Sequence, residues 1–104
     1  MEKQGNRIVI VIPTYNEAEN IGRMIDVLGE VFKKDPNHDY SILVVDGNSP
    51  DGTSDAVKEK IKNNSFVHLL TEQKKAGLGA AYAYGFKYAM SELNADVLIE
   101  MDAD

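Results

Sequence analysis

The sequence predicts an α/β domain built on an open parallel β-sheet. Apolar, β-branched runs alternate with stretches in which apolar residues recur every three or four positions, in the order β-α-β-α-β-α-β. Strands that alternate with helices in this way pair in parallel through right-handed crossovers. The 104 residues contain no internal repeat and no low-complexity tract, so we expect a single unit.

The predicted strands are apolar runs bounded by turn-forming residues, and they cover 7–12, 40–45, 66–70 and 96–101. The predicted helices have apolar residues spaced along one face, and they cover 17–34, 53–62 and 79–93. Asn16 is predicted to cap the first helix, with Glu19 completing a capping box. The first helix is predicted to bury Ile21, Met24, Ile25, Leu28, Val31 and Phe32, and the third Ala81, Tyr82, Phe86, Ala89, Met90 and Leu93. The last strand is predicted to be buried, although Glu100 interrupts its apolar pattern as an edge position would allow.

The composition excludes several classes of function. The 11 Lys and Arg residues against 17 Asp and Glu leave a formal net charge of −6, which repels nucleic-acid phosphate. The absence of cysteine excludes disulfide frameworks, thiolate zinc sites and cysteine nucleophiles. The longest apolar run, 8–13, is too short to span a bilayer, and no signal peptide precedes it. We therefore expect a cytoplasmic location.

The unusual polar residues are predicted to gather at one edge of the sheet. Ligands of open parallel sheets bind beyond the carboxyl ends of the strands, where helix N-termini also point. The segments that follow the four predicted strands are 13–17, 46–53, 71–79 and 102–104. No Gly-x-Gly-x-x-Gly turn follows the first strand and no Gly-Lys-Ser/Thr loop occurs, which disfavours Rossmann dehydrogenases and P-loop enzymes.

Acidic residues at this edge are candidates for ligand contacts. Asp102 and Asp104 follow a strand directly and could turn hard oxygen ligands toward one Mg²⁺ or Mn²⁺, although such a pair is also common in solvated turns. Asp46 could accept a hydrogen bond from a ribose hydroxyl or a base N–H, or it could form a turn. Tyr15 could stack on a base or pack at the strand end. Glu17 suits the first turn of a helix through the macrodipole alone.

Four segments, taken together, identify a family resemblance. They are Ile-Pro-Thr-Tyr-Asn-Glu at 12–17, Val-Val-Asp-Gly-Asn-Ser-Pro-Asp-Gly-Thr at 44–53, Gly-Leu-Gly-Ala-Ala-Tyr at 77–82 and Met-Asp-Ala-Asp at 101–104. In this order they resemble the N-terminal half of the family 2, GT-A-fold inverting glycosyltransferases. The subgroup they are most similar to is dolichyl- or polyprenyl-phosphate mannose synthase. The resemblance implies that 1–104 is the Rossmann-like, nucleotide-sugar-binding half of that domain, ending after the Asp-x-Asp motif.

The implied reaction is metal-dependent transfer of a hexosyl group, mannosyl from GDP-mannose, to a polyprenyl or dolichyl phosphate with inversion. The resemblance implies nucleotide-sugar contacts by Pro13, Tyr15, Glu17, Val45, Asp46, Asp102, Ala103 and Asp104. Asp102 and Asp104 would also hold Mg²⁺ or Mn²⁺, and no catalytic residue is assigned within the chain. Many relatives have a second acid where this chain has Gly47, and that acid often contacts the nucleobase of the donor. Which nucleobase this chain recognises therefore stays open. The alternatives are a binding fragment without activity, as we expect of this chain alone, or a family member that uses another donor and a sugar hydroxyl acceptor.

Overall fold

The computed structural model describes residues 5–72 and 77–103 and contains every predicted element. The strands are β1 (Arg7–Thr14), β2 (Asp39–Asp46), β3 (Val67–Thr71) and β4 (Val97–Glu100). The helices are α1 (Ala18–Lys33), α2 (Thr53–Asn63) and α3 (Leu78–Glu92). Each bound lies within two residues of its prediction. Asp104 and part of the predicted 71–79 loop lie outside the described residues.

The four strands form one parallel sheet in the order β3-β2-β1-β4, which confirms the predicted α/β fold class. The chain moves in one direction from β1 to β3 and then returns past β1 to form β4. With right-handed crossovers, this reversal puts α1 and α2 on one face of the sheet and α3 on the other. Both faces of β1 and β2 are therefore covered, which explains why these two strands are continuous apolar runs.

Alternate side chains of β1 and β2 contribute to two separate cores. The core under α1 and α2 contains the buried residues Ile10, Ile12, Ile21, Ile25, Leu28, Ile42, Val44, Val57, Val67 and Ala103. The core under α3 contains the buried residues Val9, Val11, Leu43, Val45, Ala81 and Ala89. Among residues 5–72 and 77–103, no helix is both long and apolar enough to cross a membrane.

The predicted burial was wrong at the edge of the sheet and on the flanks of two helices. Val97 and Ile99 of β4 are each 37% exposed, because β4 lies at the sheet edge, and Glu100 is exposed beside them. Val31 and Met90 are more than half exposed. The buried stripe of each helix is narrower than the apolar pattern indicates.

Helix α3 packs very closely on the sheet at Gly85. A Cβ atom added there would lie 2.6 Å from Cγ1 of Val11 and 2.9 Å from Cγ2 of Val45. We predict that Gly85→Val lowers the free energy of unfolding by about 1–3 kcal/mol, because the valine would overpack this core. Gly79→Val in the same helix is the control and should be nearly neutral, since no atom lies within 4 Å of a Cβ at Gly79. Urea titration of both variants measures the difference, and equal losses would contradict the close contact at Gly85.

Candidate functional site

The loops that follow β1 and β4 lie side by side, because the strand order reverses between these two strands. Ligands of open parallel sheets bind at such a reversal. A cleft of about 450 Å³ lies at this place, between the β1–α1 turn, the start of α3 and the end of β4. It is lined by Pro13, Thr14, Tyr15, Glu17, Gly77, Leu78, Ala81, Asp102 and Ala103.

Most of the residues that the sequence analysis selected meet in this cleft. Pro13, Tyr15 and Glu17 come from the β1–α1 turn, and Asp102 and Ala103 come from the end of β4. The Tyr15 side chain is partly open to solvent, with 40% of the residue exposed. An aromatic ring, two carboxylates and apolar walls at one place suit a ligand with both a flat ring and a polar group.

The β1–α1 turn departs from the predicted capping arrangement. Asn16 was predicted to cap α1 and Glu19 to complete a capping box, and this prediction was wrong. Asn16 adopts a left-handed backbone conformation with φ of 58°, and the N-cap position is occupied by Glu17, whose side chain makes no capping hydrogen bond. The helix start must therefore be satisfied by other groups.

Those groups come from the loop between β2 and α2 and from the first residue of α2. The backbone N–H of Asn16 donates to Ser49 Oγ at 2.9 Å, and that of Glu17 donates to Thr53 Oγ1 at 3.0 Å. The backbone N–H of Ala18 donates to Asp51 Oδ2 at 3.1 Å. We call Ser49–Thr53 the clamp segment. The clamp segment lies within 46–53, one of the segments predicted to follow a strand, but nothing local in the sequence indicates which distant N–H groups its side chains bind.

Asp51 is the acid at the centre of the clamp segment. Thr53 Oγ1 donates a hydrogen bond of 2.5 Å to Asp51 Oδ1, and the backbone N–H of Thr53 donates to the same oxygen at 3.0 Å. The hydrogen bond from the Thr53 side chain, aided by the backbone N–H groups of Ala18 and Thr53, lowers the pKa of Asp51. Asp51 is thus held as a carboxylate at neutral pH, in the form that accepts these bonds.

Asp46 is fully buried behind the cleft. Its Oδ1 accepts hydrogen bonds from Thr14 Oγ1 at 2.7 Å and Ser49 Oγ at 2.6 Å. Its Oδ2 accepts from Ser49 N at 2.9 Å and Ser54 Oγ at 3.1 Å. Val45 is also fully buried, under α3. Neither residue is among the described residues that line the cleft, so their implied contacts with a nucleotide stay predictions.

Tyr82 links α3 to the end of β4. Its hydroxyl donates to Asp102 Oδ1 at 3.2 Å, and its ring centroid lies 5.8 Å from the ring centroid of Phe86. Burial, followed by the hydrogen bond to Asp102 and the charges of Asp102 and Glu100, raises the pKa of Tyr82. The hydroxyl therefore stays protonated at neutral pH and keeps its donor role. Tyr82 was predicted only as a buried residue of the third helix, and its contact with Asp102 was not predicted.

Asp102 is the described residue that best suits a divalent cation. It is exposed at the cleft, and its carboxylate oxygens are hard ligands of the kind that Mg²⁺ and Mn²⁺ prefer. Within residues 5–72 and 77–103 no three acidic or histidine side chains form a ready-made metal cluster. Mg²⁺ at phosphate-transfer sites is commonly bound through one or two carboxylates plus the phosphates of the substrate. Asp102 fits a site of that kind.

Comparison with known proteins gives matches along nearly the whole chain. The family model described as Glycosyl transferase family 2 matches residues 9–104. The undecaprenyl-phosphate mannosyltransferase of Micrococcus luteus is 43% identical over 102 residues, which cover 94% of this chain and 38% of the relative. The polyprenol monophosphomannose synthase of Mycolicibacterium smegmatis is 42% identical over 99 residues, which cover 94% of this chain and 35% of the relative. The chain thus spans little more than a third of the length of these relatives.

The fold of the chain is also similar to that of a solved structure. A mannosyltransferase from Pyrobaculum calidifontis, in complex with GDP-Man and Mn²⁺, superposes with a TM-score of 0.75 at 27% sequence identity. The match covers 95% of this chain and 28% of the other. These findings confirm the resemblance predicted from the four sequence segments.

Proposed function

Because the chain belongs to glycosyl transferase family 2, we propose that it is the donor-binding part of a mannosyltransferase. The donor is GDP-mannose, the acceptor is a polyprenyl or dolichyl phosphate, and transfer proceeds with inversion at the anomeric carbon. The observation that carries the proposal is that Tyr15, Glu17 and Asp102 meet in one cleft at the reversal of strand order. The mannosyltransferase relatives named above support the choice of sugar and acceptor.

Each cleft residue has a chemical task in this proposal. The exposed ring of Tyr15 stacks on the base, and Pro13 and Glu17 complete the nucleotide contacts. Asp46 and Val45, both fully buried, complete the base and ribose pocket behind these residues. Asp102 and Ala103 contact the diphosphate from the end of β4. Asp102, together with Asp104 as predicted from the sequence, binds Mg²⁺ or Mn²⁺ and the diphosphate.

The electrostatics of the cleft favour a cation together with the donor. Glu17 and Asp102 both line the cleft, and the chain carries a net charge of −6, so a bare diphosphate would be repelled. A divalent cation bound at Asp102 would neutralise part of that charge and stabilise the negative charge that develops on the leaving diphosphate. Tyr82 holds the Asp102 carboxylate from the α3 side.

A phosphate acceptor agrees with the fact that no general base is assigned among the residues of this chain. The oxygen of a polyprenyl phosphate is already anionic at neutral pH, so it can attack without a general base. A lipid acceptor would require the protein to work at a membrane surface, and we propose peripheral contact at the cytoplasmic face.

The test is transfer of radiolabelled mannose from GDP-mannose to a short polyprenyl phosphate, with and without Mn²⁺, by the whole mannosyltransferase of which this chain is the proposed donor-binding part. We expect the label to enter the organic phase only when Mn²⁺ is present, and NMR of the product should show an inverted anomeric centre. Mn²⁺-dependent binding of GDP without transfer would support the binding-only alternative. Label transferred instead to a sugar hydroxyl acceptor would contradict the proposed acceptor.

A further inference from the structure

The turn that carries Tyr15 and Glu17 is held by side chains far from it in sequence. Consecutive backbone N–H groups of the turn, at residues 16 to 18, each donate to a different side chain of the clamp segment Ser49–Thr53. The turn is also tied to the end of β2, since the N–H of Gly47 donates to the carbonyl oxygen of Thr14 at 3.0 Å. The N–H groups at the start of α1 thus have their hydrogen-bond partners within the protein.

The turn has little means of holding this shape by itself. Asn16 has a positive φ of 58°, a conformation that a non-glycine residue adopts at a free-energy cost. The N-cap residue Glu17 contributes no side-chain capping bond. Without the clamp segment, the N–H groups of residues 16 to 18 would lack these partners, and the turn could relax to another conformation.

Within the clamp segment, Thr53 makes the central connection. It is fully buried and is not among the described residues that line the cleft, so it does not reach a ligand there. Its Oγ1 accepts from the N–H of Glu17 at 3.0 Å and donates to Asp51 Oδ1 at 2.5 Å. The Thr53 hydroxyl group is therefore both a hydrogen-bond acceptor and a hydrogen-bond donor. Its two partners, Glu17 and Asp51, both take part in fixing the β1–α1 turn.

We propose that Thr53 and Asp51 are positioning residues that hold Glu17 and Tyr15 in the geometry that binds the donor nucleotide. This inference rests on the proposed function. On this proposal the clamp segment affects the affinity for the nucleotide indirectly, by holding the backbone of the β1–α1 turn.

The first measurement is the dissociation constant of GDP in the presence of Mn²⁺, by calorimetry on the purified protein. Thr53→Val keeps the shape of the side chain and removes the hydroxyl, and we expect it to weaken GDP binding about five- to tenfold, equivalent to about one hydrogen bond. Thr53→Ser retains the hydroxyl and should bind GDP as the wild type does. Asp51→Asn should weaken binding in the same direction as Thr53→Val.

The control separates positioning from loss of stability. Val57 is in the same helix, is also fully buried and packs in the core under α1 and α2. Val57→Ala should lower the stability of the protein without changing the affinity for GDP. Equal weakening by Val57→Ala and Thr53→Val would overturn the inference, as would a Thr53→Ser variant as weak as Thr53→Val.

A second measurement does not depend on the ligand. Hydrogen exchange of the Glu17 backbone amide, followed by NMR, should be faster in Thr53→Val than in Thr53→Ser or Val57→Ala. Unchanged exchange at Glu17 would overturn the inference. If the wild-type protein bound no GDP at all, the proposed function would fail, and the exchange rates would still decide whether Thr53 holds the turn.

Discussion

Replacing Asp102 by asparagine is expected to abolish the Mn²⁺ dependence of GDP binding and, in the whole mannosyltransferase proposed above, to lower the rate of transfer at least about 100-fold. Asparagine retains the size of the side chain and its ability to accept the hydrogen bond from Tyr82, but it removes the negative charge that a divalent cation requires. Titration of GDP with and without Mn²⁺, together with the radiolabel assay, measures both effects.

Asp55→Asn is the matched control for this change. Asp55 is exposed in the first turn of α2 and is not among the residues that line the cleft. The same loss of one negative charge should leave the Mn²⁺ dependence intact there. If GDP binding by Asp102→Asn still depended on Mn²⁺ as in the wild type, the assignment of Asp102 to the cation would be wrong.

The second large effect is expected on stability. Asp46→Ala removes the buried carboxylate that accepts four hydrogen bonds from Thr14, Ser49 and Ser54. We expect the free energy of unfolding to fall by about 3–4 kcal/mol, because the buried donors lose a charged acceptor and a cavity remains. Urea unfolding at neutral pH measures the loss.

Asp26→Ala is a suitable comparison for Asp46→Ala. The Asp26 carboxylate also accepts hydrogen bonds, from Lys60 at 2.9 and 2.7 Å, but its side chain is 58% exposed. Exposed ion pairs contribute about 0–1 kcal/mol, so its removal should cost no more than that. Similar losses at Asp26 and Asp46 would contradict the structural role assigned to the buried carboxylate.

The fold could be predicted from the sequence where burial is uniform. β1 and β2 are continuous apolar runs because helices cover both of their faces, and their bounds follow from composition alone. β4 has almost the same composition, yet Val97 and Ile99 are exposed, because its place at the sheet edge depends on the strand order. Local patterns do not reveal that order.

The location of the cleft could also be predicted, because the carboxyl ends of parallel strands share one edge. What could not be predicted was the direction in which each acid points. Asp46 and Asp102 both follow apolar runs, but Asp46 is enclosed by three hydroxyl side chains, whereas Asp102 meets Tyr82 and solvent. The partners of Asp46 are 3, 8 and 32 residues away in sequence, and the partner of Asp102 is 20 residues away.

The close contact at Gly85 has a consequence for the size of the cleft. Ala81 lies one turn earlier in α3 and forms part of the cleft wall, opposite the β1–α1 turn. Gly85 allows the helix backbone to approach Val11 and Val45 more closely than any other residue would. The separation between the two walls is therefore set by the absence of a side chain at position 85. A larger residue at position 85 would move α3 away from the sheet and widen the cleft. The width available to a ligand therefore depends on a residue that lies in the core and not in the cleft.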